Sequence, residues 1–310
     1  MSALRVGVIG VGHLGKHHAR LLGALPGVTL VAAVDLDLAK ARAATADSGA
    51  EALTNSRDLL GGVDAVTIAV PTAAHLEVAR PFLESGVHVL VEKPMTATLD
   101  EADEMIRLAG QSGALLMAGH TERFNPAVQA ALPELRAPKF VEVHRMSGFP
   151  ERSLDIDVVF DVMIHDLDII LAVDRSEVLS VDAIGVPVLT PKVDIANARI
   201  RFASGCVANI TASRISRDKV RKVRFFDRDM YISVDYAAQE LEIWRLRPRP
   251  GERPAIEGGP VPVTSDEPLR QELLDFVAAI AGKRAPRVTG EDGRRALALA
   301  TRVAEAIARG

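Results

Sequence analysis

The stretch Leu4–Gly15, LRVGVIGVGHLG, joins a continuous apolar run to three glycines spaced GxGxxG and then to a helix-forming segment. Nothing else in the chain constrains the fold as strongly, because strand, glycine turn and helix in that order make the phosphate-binding corner of a βαβ unit. Gly10 allows the tight turn and Gly12 lets the backbone approach a pyrophosphate. Gly15 lets the helix lie close to the strand, with its first amides facing the anion. His13 and Leu14 complete the loop. Further short apolar runs follow at Val28–Asp35, Ala65–Val70, Val87–Val91 and Leu115–Ala118. Helical segments separate them at Leu14–Leu25, Asp37–Ser48, Ala73–Ser85 and Leu99–Gln111. Runs rich in Val, Ile and Ala suit strands buried on both faces, and their alternation with helices predicts a doubly wound parallel sheet over residues 1–120. Thr98 and Glu101 have capping-box spacing, and Gly86 and Gly113 stand where helix C-caps are expected. Asp35 ends the second run twenty residues past Gly15. A carboxylate there can accept both ribose hydroxyls and would repel a 2′-phosphate. No arginine follows it directly, so NAD is favoured over NADP.

After residue 120 the pattern changes. Phe124–Leu132 reads as a helix, and most of Lys139–Arg247 reads as strands: Phe140–Met146, Val178–Val186, Asp194–Phe202, Val207–Ser213, Val220–Phe226, Met230–Asp235 and Leu241–Leu246. One helix, about Val158–Val173, interrupts them. Residues 121–310 are therefore expected to form an α+β domain around a large, open, mostly antiparallel sheet. Arg247–Pro268 holds six prolines and three glycines and reads as a loop or lid. Apolar residues at helical spacing predict helices over Leu269–Ala281 and Glu291–Ala308, the last able to pack back on the first domain.

Composition serves to exclude. With 37 basic and 41 acidic residues, net −4, the chain lacks the basic excess of a nucleic-acid binder. A single cysteine, Cys206, rules out an intramolecular disulfide framework and a Cys-based zinc site. No apolar run approaches the roughly 18 residues of a membrane span. The N-terminus enters a strand directly, without a signal-peptide layout, so a soluble, cytoplasmic chain is expected.

Two further groups of residues carry chemistry. Glu92-Lys93-Pro94 ends an apolar strand, and ligands of open α/β sheets bind beyond the carboxyl ends of strands. Lys93 is either a crevice residue or one half of a surface salt bridge. Asp161 and His165 are four apart on a predicted helix and share a face; Asp168 lies on a neighbouring flank. A carboxylate, an imidazole and a lysine suit oxidation of a secondary alcohol, in which a base takes the hydroxyl proton while hydride leaves. Two other readings stand beside this one. His165, Asp166 and Asp168 could ligate a metal, though such spacing converges poorly and no second histidine follows at i+4, so no metal is expected. The cluster could also be a satisfied polar helix end. Pro71 and His75 follow the fourth strand; His75 either lies near the cofactor or serves a helix terminus. His17 and His18 read as packing or capping residues of the first helix.

The Gly10–Gly15 fingerprint, Glu92-Lys93-Pro94 and the Asp161…His165…Asp168 helix, in this order, resemble the Gfo/Idh/MocA oxidoreductase family over essentially the whole chain. The resemblance implies a Rossmann domain followed by an α+β domain whose open sheet mediates homodimers or homotetramers. It implies catalytic roles for Lys93, which orients the substrate hydroxyl and cofactor, for His165 as general base, and for Asp161, which binds substrate or orients the imidazole. It also implies cofactor contacts from Gly10, Gly12, His13, Leu14, Gly15, Asp35, Pro71, His75, Glu92 and Lys93. Val158-Val159-Phe160 stand where many members have glycines. The runs Gly119–Ala127 and Met163–Ile170 are most similar to members that oxidise the C3 hydroxyl of UDP-N-acetylglucosamine to a ketone, which a partner aminotransferase can aminate. By that likeness Arg123, Asn125 and Arg152 join Asp161 and His165 as substrate residues, while another nucleotide sugar, a free sugar or an inositol are alternative substrates, and a non-catalytic NAD sensor is the alternative from another class. Ser213–Arg228 carries seven basic residues, which fits a diphosphate or, equally, a solvated sheet face or subunit interface. Only 12 aromatic residues in 310 argue against a polysaccharide platform.

Overall fold

The computed structural model describes residues 3–149, 156–249 and 253–309. In chain order the elements begin β1 (Leu4–Ile9), α1 (Gly15–Ala24), β2 (Val28–Val34), α2 (Leu38–Thr45), β3 (Glu51–Leu53) and β4 (Ala65–Ile68). There follow α3 (His75–Glu84), β5 (His88–Glu92), α4 (Leu99–Ser112), β6 (Leu116–Gly119), α5 (Pro126–Ala131) and β7 (Phe140–Met146). Next are α6 (Ile164–Val173), β8 (Val178–Val186), β9 (Ile195–Phe202), β10 (Val207–Ser213), β11 (Val220–Phe226) and β12 (Met230–Asp235). The chain closes with β13 (Glu240–Arg247), β14 (Ala255–Val261), α7 (Pro268–Gly282) and α8 (Gly290–Arg309).

Two compact units result: Met1–His120 with Leu269–Arg294, and Thr121–Pro268 with Arg295–Gly310. The first unit is a six-stranded parallel sheet of order β3-β2-β1-β4-β5-β6, the doubly wound Rossmann arrangement. Its central strands are buried on both faces: every residue of β4 is inaccessible to solvent, which is why they read as unbroken apolar runs. The order reverses between β1 and β4, so the crevice beyond their carboxyl ends starts at Gly10 and Val70. The capping box of α4 forms as the sequence predicts, with Thr98 accepting from the Glu101 amide and Glu101 accepting from the Thr98 amide. The penultimate helix α7 belongs to this unit, whereas the sequence reading put residues 269–294 in the second domain. The reason is packing: Thr289 bridges to Met117 of β6, Gly293 leaves room for Ala118 and Met95, and Arg294 pairs with Asp103.

The second unit is an eight-stranded sheet of order β14-β13-β12-β11-β7-β10-β9-β8, antiparallel except for the β7–β10 pair. Alternation sorts its faces. Val141, Val143, Ile210, Ala198, Val223 and Ile232 point into a core shared with Ile164, Leu167, Leu299 and Val303. Phe140, Glu142, His144, Asn209, Thr211, Lys222 and Arg224 point the other way and stay partly exposed. Arg247–Pro268 is not all loop. Ala255–Val261 pairs with β13 as the edge strand β14, a position that tolerates Pro260 because an edge strand can spare an amide. The predicted helix over Val158–Val173 is also corrected in part: Val159–Met163 is a π-helical turn, and regular α-helix begins at Ile164.

Candidate active site

The glycine loop of the first unit is the candidate cofactor site, and its geometry follows from what each glycine must avoid. Gly10 has φ +82°, and a Cβ on it would stand 2.8 Å from the backbone of Ala69. A Cβ on Gly15 would fall 1.7 Å from the Gly10 carbonyl oxygen. Gly12, by contrast, faces open space, which leaves room for a pyrophosphate to approach the backbone. Leu14 is the N-cap residue of α1 and offers no capping side chain; the Lys16, His17 and His18 amides bond back to the Gly12 and Leu14 carbonyls, so an anion would meet the positive end of the helix dipole rather than a row of free amides. His13 is exposed and packs edge-on against His17 at 6.0 Å. The Asp35 carboxylate accepts the Val11 amide at 3.0 Å through Oδ2 and the Asp37 amide at 3.0 Å through Oδ1. Each oxygen keeps a lone pair for a ribose hydroxyl. Leu36, next in the chain, is 95% exposed and offers no charge for a 2′-phosphate. These residues fit a dinucleotide of the NAD type.

Lys93 follows β5 in the same unit and is half-buried. Its neighbours are held from two sides. Glu92 is buried; its Oε1 lies 2.9 Å from Nε2 of the buried His18, and its Oε2 accepts the Lys93 amide at 3.2 Å. His75 is also buried, with Nδ1 at 3.1 Å from the Pro94 carbonyl and Nε2 at 2.9 Å from that of Val70. Burial lowers its basicity against the pull of these carbonyls. Glu92 and His75, read in the sequence as cofactor contacts, both bond within the frame of the Lys93-Pro94 turn. Pro71 is exposed at the end of β4.

The second unit carries Asp161 and His165, both half-buried. Asp161 sits within the π-turn, whose distinctive bond runs from the Ile164 amide to the Val159 carbonyl. Such turns cluster at functional sites because they re-aim side chains within a helix. The turn is tied down at its start: the Val158 amide donates to Val193, and Asp157 Oδ1 accepts the Val193 amide at 2.8 Å. The other acids of the motif turn inward. Asp168 takes both ends of the Arg123 guanidinium, at 2.8 and 2.5 Å, and both residues are buried. Asp166 is clamped by Arg145 at 2.6 and 3.0 Å, with Glu122 Oε1 at 3.0 Å on the third guanidinium nitrogen. Arg145 also stacks 4.6 Å over the Tyr236 ring. Burial pushes the Asp166 carboxyl above the usual carboxylate range despite Arg145. With Asp166 and Asp168 committed to arginines, neither is left to join His165 around a metal ion.

Arg123 is consequently an internal anchor rather than a phosphate ligand. Asn125 is corrected similarly: it is buried, caps α5 by accepting the Ala127 amide, and donates to the Tyr236 carbonyl at 2.9 Å. Arg152 lies outside the described residues. The basic run after β10 disperses. Arg214 is buried on Asp194 at 2.8 Å and reaches the Ile156 carbonyl at 2.6 Å, while Lys222 and Arg224 pair with Asp235 and Glu142 on the open sheet face. Arg217, Lys219, Arg221 and Arg228 remain exposed. The frame-building residues Arg145, Tyr236 and Glu122 went unread in the sequence. One signal was available: Arg145 stands at the inward parity of β7, after Val141 and Val143.

Comparison with known proteins agrees with this geometry. The family model for the Gfo/Idh/MocA group, described as an oxidoreductase family with an NAD-binding Rossmann fold, matches residues 4–120. The chain is 39% identical over 310 residues to the UDP-N-acetylglucosamine 3-dehydrogenase of Acidithiobacillus ferrooxidans, covering 99% of this chain and 98% of that one. Its likeness to the solved structure of that enzyme, GnnA, has a TM-score of 0.92 at 38% identity, covering 99% of this chain and 98% of the other. A levoglucosan dehydrogenase solved in complex with NADH shares the fold at 19% identity, TM-score 0.88, over 99% of this chain and 97% of its own.

Proposed function

Because the chain belongs to the Gfo/Idh/MocA family of NAD-binding oxidoreductases, we propose that it oxidises the C3 hydroxyl of UDP-N-acetylglucosamine to a ketone. The observation that carries this reading is the end-to-end likeness to a UDP-N-acetylglucosamine 3-dehydrogenase. NAD, when bound, accepts the hydride that leaves the sugar carbon. The chain's own residues do the rest. The glycine loop and the N-terminus of α1 would hold the pyrophosphate, and Asp35 would hold the adenosine ribose. Lys93 donates a hydrogen bond to the substrate hydroxyl and favours its alkoxide character. His165, neutral, takes the hydroxyl proton as the C3–H bond breaks, and Asp161 orients the imidazole or the sugar. The 3-keto product is a substrate for an aminotransferase, and the cytoplasm, where NAD and nucleotide sugars meet, is the natural location.

The test is NADH formation from NAD and UDP-N-acetylglucosamine with hydroxylamine present to trap the ketone, since alcohol oxidation by NAD is unfavourable near neutral pH. Turnover is expected, and it should drop steeply in Lys93→Ala, to a small but measurable residual rate. Free N-acetylglucosamine reacting as fast as the nucleotide sugar would remove the nucleotide from the reading. Inositol or another sugar reacting in its place would move the substrate assignment within the family.

The same premise supports assembly through the open face of the eight-stranded sheet. That face mixes paired charges with apolar groups, and its edge strand β8 exposes Ile184 and Val186 at 66% and 45%. A homodimer or homotetramer is expected in light scattering. Ile184→Asp with Val186→Asp should shift it toward smaller species, since a charge at an interface core is costly. A wild-type monomer at micromolar concentration would sink this part.

A further inference from the structure

The junction of α1 and β5 holds two ionisable side chains where packing alone would call for none. His18 is fully buried, and so nearly is Glu92. They meet at 2.9 Å, Nε2 to Oε1. Nδ1 of His18 has no partner among the described residues. Nε2 of His18 carries the N–H that donates to the Glu92 carboxylate. Burial pushes the Glu92 carboxyl up, but the hydrogen bond and charges around it hold it below the usual carboxylate range. The second oxygen of Glu92 accepts the amide of Lys93 itself. Space for this carboxylate is reserved by the facing strand: Gly119 pairs with Glu92, and a Cβ there would stand 3.2 Å from Oε2 and 3.1 Å from Cα.

A well-packed apolar pair would stabilise such a junction as well as or better than a buried polar one. What the polar pair adds is direction. Glu92 bonds His18 and the Lys93 amide at once, one oxygen to each, which restrains both its side chain and the backbone beside it. His18 lies in the first turn of α1, directly after the glycine loop. We propose that His18 is a positioning residue for Lys93, fixing the lysine through Glu92 and tying it to the helix that receives the cofactor. The proposal rests on the reading of Lys93 as a catalytic group, and His75, bound to the Pro94 and Val70 carbonyls, braces the same turn from its other side.

The test is a mutant cycle read with NAD and UDP-N-acetylglucosamine. His18→Leu should lower kcat by about 10- to 100-fold, the scale of a slight misplacement of a catalytic group, with KM for NAD within about twofold. His18→Gln, which keeps a donor for Glu92, should recover most of the loss. In a Lys93→Ala background His18→Leu should lower kcat no further, because it acts through the lysine. A second readout needs no turnover. After reductive methylation with ¹³C-formaldehyde, the Lys93 resonance, identified by its absence in Lys93→Arg, should shift or broaden in His18→Leu while those of Lys139 and Lys192 stay. Unchanged kcat and an unchanged Lys93 signal in His18→Leu overturn the proposal. So do losses that add to those of Lys93→Ala, or NAD affinity falling in step with kcat without rescue by Gln. If His18→Leu does not fold, Glu92→Gln takes its place and must show the same epistasis. Lys93→Ala at wild-type turnover would remove the lysine reading itself; a nearly inactive Lys93→Ala beside a fully active His18→Leu would remove only the brace.

Discussion

Replacing His165 by Asn is expected to lower kcat by about 10²–10⁴-fold while NAD affinity stays within about twofold. Asn preserves much of the imidazole's volume and one hydrogen bond but cannot take a proton, so it separates chemistry from packing. The residues assigned to NAD lie in the first unit and His165 in the second, which is why binding should survive. The pH profile supplies an independent check. A neutral imidazole is the active base, so wild-type kcat/KM should fall on the acid side as His165 protonates, and the variant's residual rate should lack that limb. Substrate deuterated at C3 should show a larger isotope effect in the variant, because the slowed step that breaks the C3–H bond then limits turnover. Turnover within threefold of wild type would end the general-base assignment. A wild-type chain that binds NAD yet turns over no sugar would point instead to a sensor.

The architecture was legible because its signals are local. An apolar strand, GxGxxG and a helix start are read within a dozen residues, and period-2 alternation placed the strands of the second sheet within a residue or two. β3 was missed because Glu51–Leu53 is three residues long and carries no periodic pattern. β14 was missed because glycine and proline, which mark loops elsewhere, are tolerated on an edge strand. The π-turn at Val159–Met163 changes a hydrogen-bond register without changing composition, so no residue announced it.

The site was legible only in part, for a different reason. Gly10, Gly15, Asp35 and Lys93 are identified by what precedes and follows them. Arg123, Asn125, His75 and Glu92 are polar residues near those motifs, and proximity in sequence does not say whether a polar group faces a ligand or the interior. Each proves to be buried and matched to a partner outside its own motif: Asp168, the Tyr236 carbonyl, the Pro94 carbonyl, and His18. The inward parity of Arg145 on β7, and of His18 on the same helical face as Leu21, Leu22 and Leu25, were the available warnings that charge was being carried into the core.

That internal charge sets up the largest expected effect on stability. Arg145→Met removes the cation that Asp166 and Glu122 share and leaves the Asp166 carboxylate alone in a buried site, where breaking such a pair costs about 3–5 kcal/mol. Met fills most of the volume, so the loss is electrostatic rather than a cavity. Asp166 is already held above the usual carboxylate range by burial with Arg145 present, and without it Asp166 should fold protonated. A carboxyl whose folded pKa is raised binds more protons in the native state than in the unfolded one, so stability falls as pH rises through that range. The deficit of Arg145→Met should therefore be greatest above neutrality and shrink toward pH 5. Urea unfolding of wild type and variant at both ends of that range measures it directly. Asp166→Asn and Glu122→Gln added to Arg145→Met should recover part of the alkaline loss by removing the stranded charges. A deficit independent of pH would show that Arg145 acts through packing on Tyr236. Because Asp166 follows His165 on α6, a variant that unfolds locally there should lose activity before it loses NAD binding, linking the buried clamp to the base it holds in place.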